Sequence, residues 1–189
     1  MRLVEDPRAA KRELRTRLRG QRREISAARD LGFDDAALRG HILTVAETVR
    51  PAKRRGVALS YLSLPHEPPT TATNRALVDQ GWQVLAPITL DTLDLDWFDL
   101  ADEGRTPLGV GAPQRADLAL VPGLAVDRHG TRMGQGGGCY DRVLPRLRAG
   151  TPFAVLLHPG ELTTDPLPRE PHDQPVRLVL TADGPVEVG

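Results

Sequence analysis

The pattern that most constrains the fold of this chain is a series of short apolar runs separated by segments with helical periodicity. The runs cover residues 56–62, 82–87, 117–121, 153–157 and 176–181, and the last two are predicted to be the last two strands. Strands that are apolar along their length are buried on both faces, which is typical of parallel sheets covered by helices. The sequence therefore predicts an α/β fold: a three-layer sandwich with a mostly parallel sheet and helices on both faces.

Helical periodicity accounts for most of the chain between these runs. The predicted helices cover residues 8–29, 34–49 and 71–80. The first is strongly basic, and Leu14, Leu18 and Ile25 give it a narrow apolar stripe. A variable stretch with short strands is expected around residues 95–100. A chain of 189 residues suits one core, so we expect a single domain over residues 1–189.

A glycine-rich loop follows the run at 117–121 and precedes a helical pattern over residues 140–147. Gly134, Gly136 and Gly138 stand at alternate positions, where the lack of a Cβ lets backbone N–H groups approach a ligand closely. The N-terminus of a helix that directly follows such a loop favours the binding of an anion. Arg132 and Arg142 add cations and Asp141 adds a carboxylate, so the loop is suited to phosphate with a divalent metal.

Two kinds of phosphate-binding loop are excluded by spacing. A Walker loop would need Gly-Lys-Ser/Thr after the glycines, and none is present. A dinucleotide fingerprint belongs to the first strand–helix unit, whereas this loop lies late in the chain. Phosphate binding of another kind remains, and a glycine-rich surface turn without a ligand stays open as the alternative.

Other polar residues follow the predicted strand ends, where open α/β sheets bind their ligands. They are Glu67, the segment 158–161, and His172 with Asp173 just before the last run. Each has a simpler interpretation: Glu67 as a solvated loop residue, and His172 with Asp173 as a turn. The N-terminal arginines are compatible with a solvated helix face or with contacts to RNA phosphates, and Cys139 with a small packing residue.

Composition limits the classes of partner. The 25 basic and 25 acidic residues give zero formal net charge, which argues against general nucleic-acid affinity. The single cysteine rules out an internal disulfide and fits a reducing compartment. No apolar run approaches the roughly 18 residues that span a bilayer, and the N-terminus has no apolar signal core. We expect a cytoplasmic monomer that binds neither a membrane nor nucleic acid.

Four motifs, in order along the chain, resemble those of the 5-formyltetrahydrofolate cyclo-ligases, also called 5,10-methenyltetrahydrofolate synthetases. The longest is residues 117–144, which contain the glycine loop. The others are residues 11–15, 61–71 and 171–176. The resemblance covers nearly the whole chain. It implies an enzyme that uses ATP and Mg²⁺ to cyclise 5-formyltetrahydrofolate to 5,10-methenyltetrahydrofolate, releasing ADP and phosphate.

The resemblance also implies roles for individual residues. Lys11, Arg15 and Arg132 would hold the ATP phosphates and, with Glu67, form the catalytic group. The ATP site would be completed by Gly134, Gly136, Gly137, Gly138 and Tyr140. The folate substrate would be bound by Leu62, Glu67, Gln135, Gly136, Gly137, Gly138 and Cys139. Asp141 and Asp173 match the magnesium carboxylates of the family, and two such oxygen ligands suit Mg²⁺ when phosphate and water supply the rest.

The chain departs from the family pattern on the folate side. The family commonly has an aromatic or basic residue at the position of Gln135 and usually an aromatic one at Cys139. The segment 109–113 also lacks a glutamate that often precedes its proline. These changes predict reduced folate affinity with an intact nucleotide half of the site.

Three other functions remain open at this point. A non-catalytic folate- or nucleotide-binding paralogue would explain Gln135 and Cys139. A sugar-phosphate isomerase on a related sheet would need no ATP. An RNA-associated accessory protein would use Arg12, Arg17 and Arg19 on the basic helix, and its RNA binding would be sensitive to salt.

Overall fold

The computed structural model describes residues 7–170 and 173–189. The helices are α1 (Pro7–Ala27), α2 (Leu31–Val49), α3 (Thr71–Asp79) and α4 (Cys139–Val143), with 3₁₀ turns at Ala112–Arg115 and Leu144–Arg146. The strands are β1 (Val57–Leu59), β2 (Gln83–Thr89), β3 (Leu95–Asp99), β4 (Leu118–Pro122), β5 (Ala125–Asp127), β6 (Arg132–Met133), β7 (Phe153–Leu156), β8 (Leu162–Thr163), β9 (Leu178–Thr181) and β10 (Gly184–Glu187).

Within the described residues the main sheet has seven strands in the order β10-β9-β7-β4-β1-β2-β3. The five inner strands pair in parallel, from β9 through β7, β4 and β1 to β2. The two edges, β3 and β10, are antiparallel to their neighbours. The central strands are buried along nearly their whole length, as expected for a sheet covered on both faces. The predicted mostly parallel sheet is confirmed.

Helical segments lie against both faces of this sheet. On one face, α2 and α3 bury Leu38, Ile42 and Leu77 against the strands. On the other, Val143 of α4 and Leu144 of the following turn pack against the sheet with Val126 of β5. The α/β prediction is therefore confirmed, although the helical segments on the second face are short and irregular chain completes that layer.

The basic helix α1 lies beside the main sheet instead of on it. Leu14 and Leu18 pack on a small cluster formed by Leu124, Met133 and Leu167. Met133 belongs to β6 of a second, three-stranded sheet of order β6-β5-β8, which the sequence did not predict. Leu14 and Leu18 of the predicted apolar stripe are thus confirmed as packing residues, whereas Ile25 is not part of this cluster.

Two predictions about the later part of the chain are wrong. The helix expected over residues 140–147 ends as α4 at Val143, and a 3₁₀ turn replaces its second half. Pro145 explains the difference, because proline lacks an N–H donor and its ring clashes with the preceding helical turn. The run at 176–181 is not the last strand either, since β10 follows it and pairs with β9.

Two further points concern the whole chain. Among the described residues, none of the helices combines the length and apolar character that crossing a membrane requires. The extent of the single domain, residues 1–189, stays a prediction.

Candidate active site

A cleft of about 730 Å³ lies at the carboxyl ends of the parallel strands. Tyr61 follows β1, Pro87 and Thr89 belong to the end of β2, and Pro122 ends β4. The cleft brings together the residues to which the family resemblance assigned a role: Lys11, Arg15, Leu62, Glu67, Arg132, Gly134, Gln135, Gly136, Gly137, Gly138, Cys139, Tyr140, Asp141 and Asp173. The predicted convergence is thus present. His172, from the same prediction, lies outside the described residues.

The glycine loop connects β6 to α4 and forms one wall of this cleft. Gly136 has a φ of 110° and Gly138 a φ of 67°, values that favour glycine. Arginine side chains fix the loop by its carbonyl oxygens: Arg15 donates to Gly134 (3.2 Å), Arg19 to Gln135 (2.6 Å) and Arg142 to Gly137 (3.1 Å). Among the described residues, the amide N–H groups of 134–138 have no protein acceptor.

Two cations of the cleft, Lys11 and Arg132, are held by carboxylates. The Nζ of Lys11 lies 3.1 Å from Oε1 of Glu170, and its side chain is only 13% exposed. Arg132, whose side chain is 7% exposed, pairs with Asp141 and also donates to the carbonyl of Pro122. A phosphate that enters the cleft would therefore compete with carboxylates for these two cations.

Asp141 and Asp173 were predicted to bind a metal, and both line the cleft. Within residues 7–170 and 173–189, three or more His, Cys, Asp or Glu side chains do not come together in a group that could hold an ion. A site with one or two carboxylates fits Mg²⁺ and not a metal that needs an all-protein cage, because Mg²⁺ keeps several waters and takes phosphate oxygens.

The other end of the cleft carries a buried carboxylate. Glu67 is 7% exposed, so the interpretation of Glu67 as a solvated loop residue is wrong. Its Oε2 accepts the N–H of Leu64 at 2.9 Å, and its Oε1 lies 3.4 Å from the side-chain amide of Gln135. Leu62 and Leu64 are exposed at the rim of the cleft and give it an apolar border. Arg19 holds Gln135 from α1, so Gln135 connects this end to the basic helix.

Tyr61 and Tyr140 complete the lining near Glu67. Burial raises the pKa of both phenols, and the nearby Glu67 carboxylate acts in the same direction. Both remain neutral at physiological pH. Neither hydroxyl has a hydrogen-bond partner among the described residues. Sequence reasoning missed the Tyr61 side chain, since a tyrosine at the end of an apolar run is typical of a core residue.

Residues 158–161 were expected at the crevice, but they lie behind it and do not line the cleft. Arg22 of α1 and Glu161 form an ion pair at 2.6 Å in which both side chains are 4% exposed. Glu161 also accepts the backbone N–H of His158 at 2.8 Å. The ring of His158 lies 3.0 Å from the carbonyl oxygen of His66, the residue before Glu67. These contacts join α1 to the loop that carries Glu67, and nothing in the local sequence indicates them.

His158 makes the stability of the protein depend on pH. Burial lowers its pKa below the ordinary value, and Glu161 offsets only part of this effect. The folded protein therefore binds fewer protons than the unfolded chain once the pH falls below about 6.5. The free energy of unfolding should decrease from that pH down to the folded-state pKa. Urea unfolding at about pH 7.5 and about pH 5.5 measures the decrease, which should be smaller in His158→Gln. An equal decrease in parent and variant would contradict this assignment.

The fold and the cleft together define a class. The chain is an open α/β protein whose small-molecule site lies where the parallel strands end, beside a glycine loop and a group of cations. A family model described as the 5-formyltetrahydrofolate cyclo-ligase family matches residues 7–182, so the chain belongs to that family. The family consists of ligases, and the prediction of an enzyme is confirmed.

Individual relatives agree with this assignment. A 5-formyltetrahydrofolate cyclo-ligase of Mycolicibacterium smegmatis is 32% identical over 189 residues, covering 91% of this chain and 93% of its own. A 5,10-methenyltetrahydrofolate synthetase of Mycoplasma pneumoniae has a TM-score of 0.70 at 16% identity, covering 91% of this chain and 98% of its own. A second synthetase structure, from Aquifex aeolicus, has a TM-score of 0.68 at 20% identity, covering 94% and 92%. The two structures support the fold.

Proposed function

We propose that the protein converts 5-formyltetrahydrofolate to 5,10-methenyltetrahydrofolate, using ATP with Mg²⁺ and releasing ADP and phosphate. The observation that carries the proposal is the composition of the cleft. It is lined by cations and a glycine loop and also by the buried carboxylate of Glu67 with apolar residues. A nucleotide and a folate bound side by side would meet in the middle.

The chemistry needs ATP because a formamide oxygen is a very poor leaving group. Transfer of the terminal phosphoryl group forms a bond from phosphorus to the formyl oxygen and breaks the bond to ADP. The N10 nitrogen then attacks the formyl carbon and loses its proton to solvent, and phosphate departs with the oxygen. Such transfer depends on charge neutralisation and in-line positioning and needs no protein nucleophile.

The nucleotide side is assigned to α1 and the glycine loop. Lys11, Arg15 and Arg132 would neutralise the phosphates, and the amides of residues 134–140 would donate to phosphate oxygens. The arginine contacts to the loop carbonyls support this role, because they hold the loop without using its N–H groups. Tyr140 would border the same nucleotide site.

Asp141 and Asp173 would hold the magnesium ion, which neutralises charge on the phosphates when it is bound. Changing Asp141 to Asn removes one charged oxygen ligand of nearly the same shape. The Mg²⁺ concentration for half-maximal turnover should rise by about 10–100-fold, an effect typical of a weakened metal site. A Mg²⁺ titration of turnover measures the shift. Asp79→Asn, on the exposed end of α3, is the matched control, and an unchanged titration in Asp141→Asn would contradict the assignment.

The folate side is assigned to Glu67, Leu62 and the loop residues 135–139. A buried carboxylate that already accepts an N–H can accept another from the amino group or ring N–H of a pterin. Gln135 lies against Glu67 where it would border the same ring. Cys139 offers a smaller wall than an aromatic side chain, which supports the expectation of reduced folate affinity.

The proposal includes the setting of the reaction. We propose that the enzyme acts in the cytoplasm as a monomer on two small molecules, without nucleic acid. The zero net charge supports this choice over RNA binding. Arg12 and Arg17 are exposed on α1, whereas Arg19 contacts Gln135. An RNA-binding test should therefore neutralise only Arg12 and Arg17.

The experiment that tests the function is a turnover assay that follows methenyl absorbance with ATP and Mg²⁺ present or individually omitted. An increase in methenyl absorbance that requires both ATP and Mg²⁺ supports the proposal, provided that one phosphate is released for each methenyl product formed. A non-catalytic paralogue is the second candidate, favoured by Gln135 and Cys139. It would bind 5-formyltetrahydrofolate in calorimetry with an unhydrolysable ATP analogue and form no product.

A further inference from the structure

The loop that carries Glu67 turns through an unusual backbone conformation. His66 has a φ of 69°, in the left-handed region that residues other than glycine adopt at a cost of about 1–2 kcal/mol. The N–H of Glu67 donates to the carbonyl of Leu64 at 3.0 Å, closing a turn with Pro65 and His66 at its centre. Proline followed by a residue of positive φ is the pattern of a type II turn. Such a turn prefers glycine at the second of its two central positions, where His66 stands. Contacts outside the turn must therefore hold His66 in place.

Two side chains from other parts of the fold make those contacts. Nε2 of His158 lies 3.0 Å from the carbonyl oxygen of His66, and Oγ of Ser26 lies 2.9 Å from Nδ1 of the His66 ring. A carbonyl oxygen can only accept, so Nε2 of His158 carries the proton and donates. Ser26 belongs to α1, the helix that also carries Lys11 and Arg15.

The position of His158 is itself fixed. Its side chain is 1% exposed, and its backbone N–H donates to Glu161, which Arg22 holds through the buried ion pair. Burial lowers the pKa of the ring, which keeps the imidazole neutral with one donor and one acceptor nitrogen. A neutral donor on a rigid support can hold a single backbone carbonyl without adding charge beside Glu67.

We propose that His158 is a positioning residue: its Nε2–H holds the carbonyl of His66 and so maintains the turn that presents Glu67 to the folate. The inference rests on the proposed function, because it concerns the folate half of the same site. His158 does not line the cleft and touches neither substrate. Loss of its donor should weaken folate binding and leave the nucleotide half unaffected, since the glycine loop is held by Arg15, Arg19 and Arg142 instead.

The test compares the KM for 5-formyltetrahydrofolate with the KM for ATP in two variants. His158→Leu removes the donor and leaves a carbonyl unsatisfied, so the folate KM should rise by roughly 10-fold while the ATP KM stays unchanged. His158→Gln restores an N–H donor and should recover much of the loss. Val179→Ala, a buried change in β9 away from the cleft, controls for destabilisation alone and should alter neither KM.

The outcomes separate the two proposals. If His158→Leu does not fold, Ser26→Ala removes the other contact to His66 and should raise the folate KM by roughly 2–5-fold. A folate KM equal to that of the parent, or an equal rise in both KM values, would overturn the positioning role. Absence of turnover in the parent itself would refute the proposed function, and the positioning role would fall with it.

Discussion

Lys11→Ala is expected to lower the rate of ATP-dependent cyclisation by about 10²–10³-fold, a loss typical of removing one group that stabilises charge in the transition state. Lys11 lies on α1 and lines the cleft, where its ion pair with Glu170 holds the ammonium group. Turnover at saturating folate, measured across ATP concentrations, gives both kcat and the KM for ATP. If the contact of Lys11 is with the transferred phosphoryl group, as proposed, kcat should fall more than the KM for ATP rises.

The neighbouring residue supplies the control for Lys11→Ala. Arg12 carries the same charge, lies one position further along α1 and is exposed outside the cleft. Arg12→Ala changes the net charge equally and should leave both constants at the parent values. The folded state should tolerate both variants, since Glu170 is half exposed and such a surface ion pair contributes little to stability. Turnover at the parent rate in Lys11→Ala would contradict the assignment of Lys11 to the catalytic group.

The sheet was predictable from sequence because its strands are long enough to show an uninterrupted apolar run. The predicted apolar runs coincide with strands β4 and β7, and their bounds agree to within one or two residues. By contrast, β6 and β8 have two residues each, and pairing in the small sheet depends on contacts between distant parts of the chain. No local pattern of alternation exists over two residues, so these strands could not be predicted.

The functional residues also fall into two groups, those that the sequence located and those that only the structure shows. The assigned residues that line the cleft follow strand ends, lie in the glycine loop or, for Lys11 and Arg15, belong to α1, and strand positions and motif resemblance located them. Arg22, His158 and Ser26 act through contacts whose partners are distant in sequence: 139 residues separate Arg22 from Glu161, and 92 separate His158 from His66. In the sequence, Arg22 is one more basic residue of a basic helix. Only the packing of α1 shows that it is buried and paired.

The basic helix thus has two functions on different faces. Lys11 and Arg15 reach the cleft, Arg12 and Arg17 are exposed, and Arg22 is buried. A single face of arginines would have suited nucleic acid, whereas here the charges are distributed between a small-molecule site and a structural contact. Among the described residues, the charges of this helix are therefore divided among solvent, the cleft and a buried ion pair.

The buried pair of Arg22 and Glu161 has the largest expected effect on stability. Glu161→Ala leaves the guanidinium of Arg22 buried without its carboxylate and removes the acceptor for the N–H of His158. The free energy of unfolding should fall by about 3–5 kcal/mol, because the remaining charge keeps its desolvation penalty. For a chain of this size, Tm should fall by on the order of 10 °C. Urea unfolding gives the free energy and calorimetry gives Tm.

A double variant distinguishes an unpaired charge from lost packing. Arg22→Met with Glu161→Leu removes both charges and keeps apolar volume, so most of the stability lost in Glu161→Ala should return. Arg75→Ala, which breaks an exposed pair with Asp79, is the surface control and should unfold like the parent. If the double variant were as unstable as Glu161→Ala, shape and hydrogen bonds at this contact would outweigh charge. If Glu161→Ala unfolded like the parent, the buried ion pair would add little to stability, and other contacts of α1, such as the packing of Leu14 and Leu18, would hold the helix.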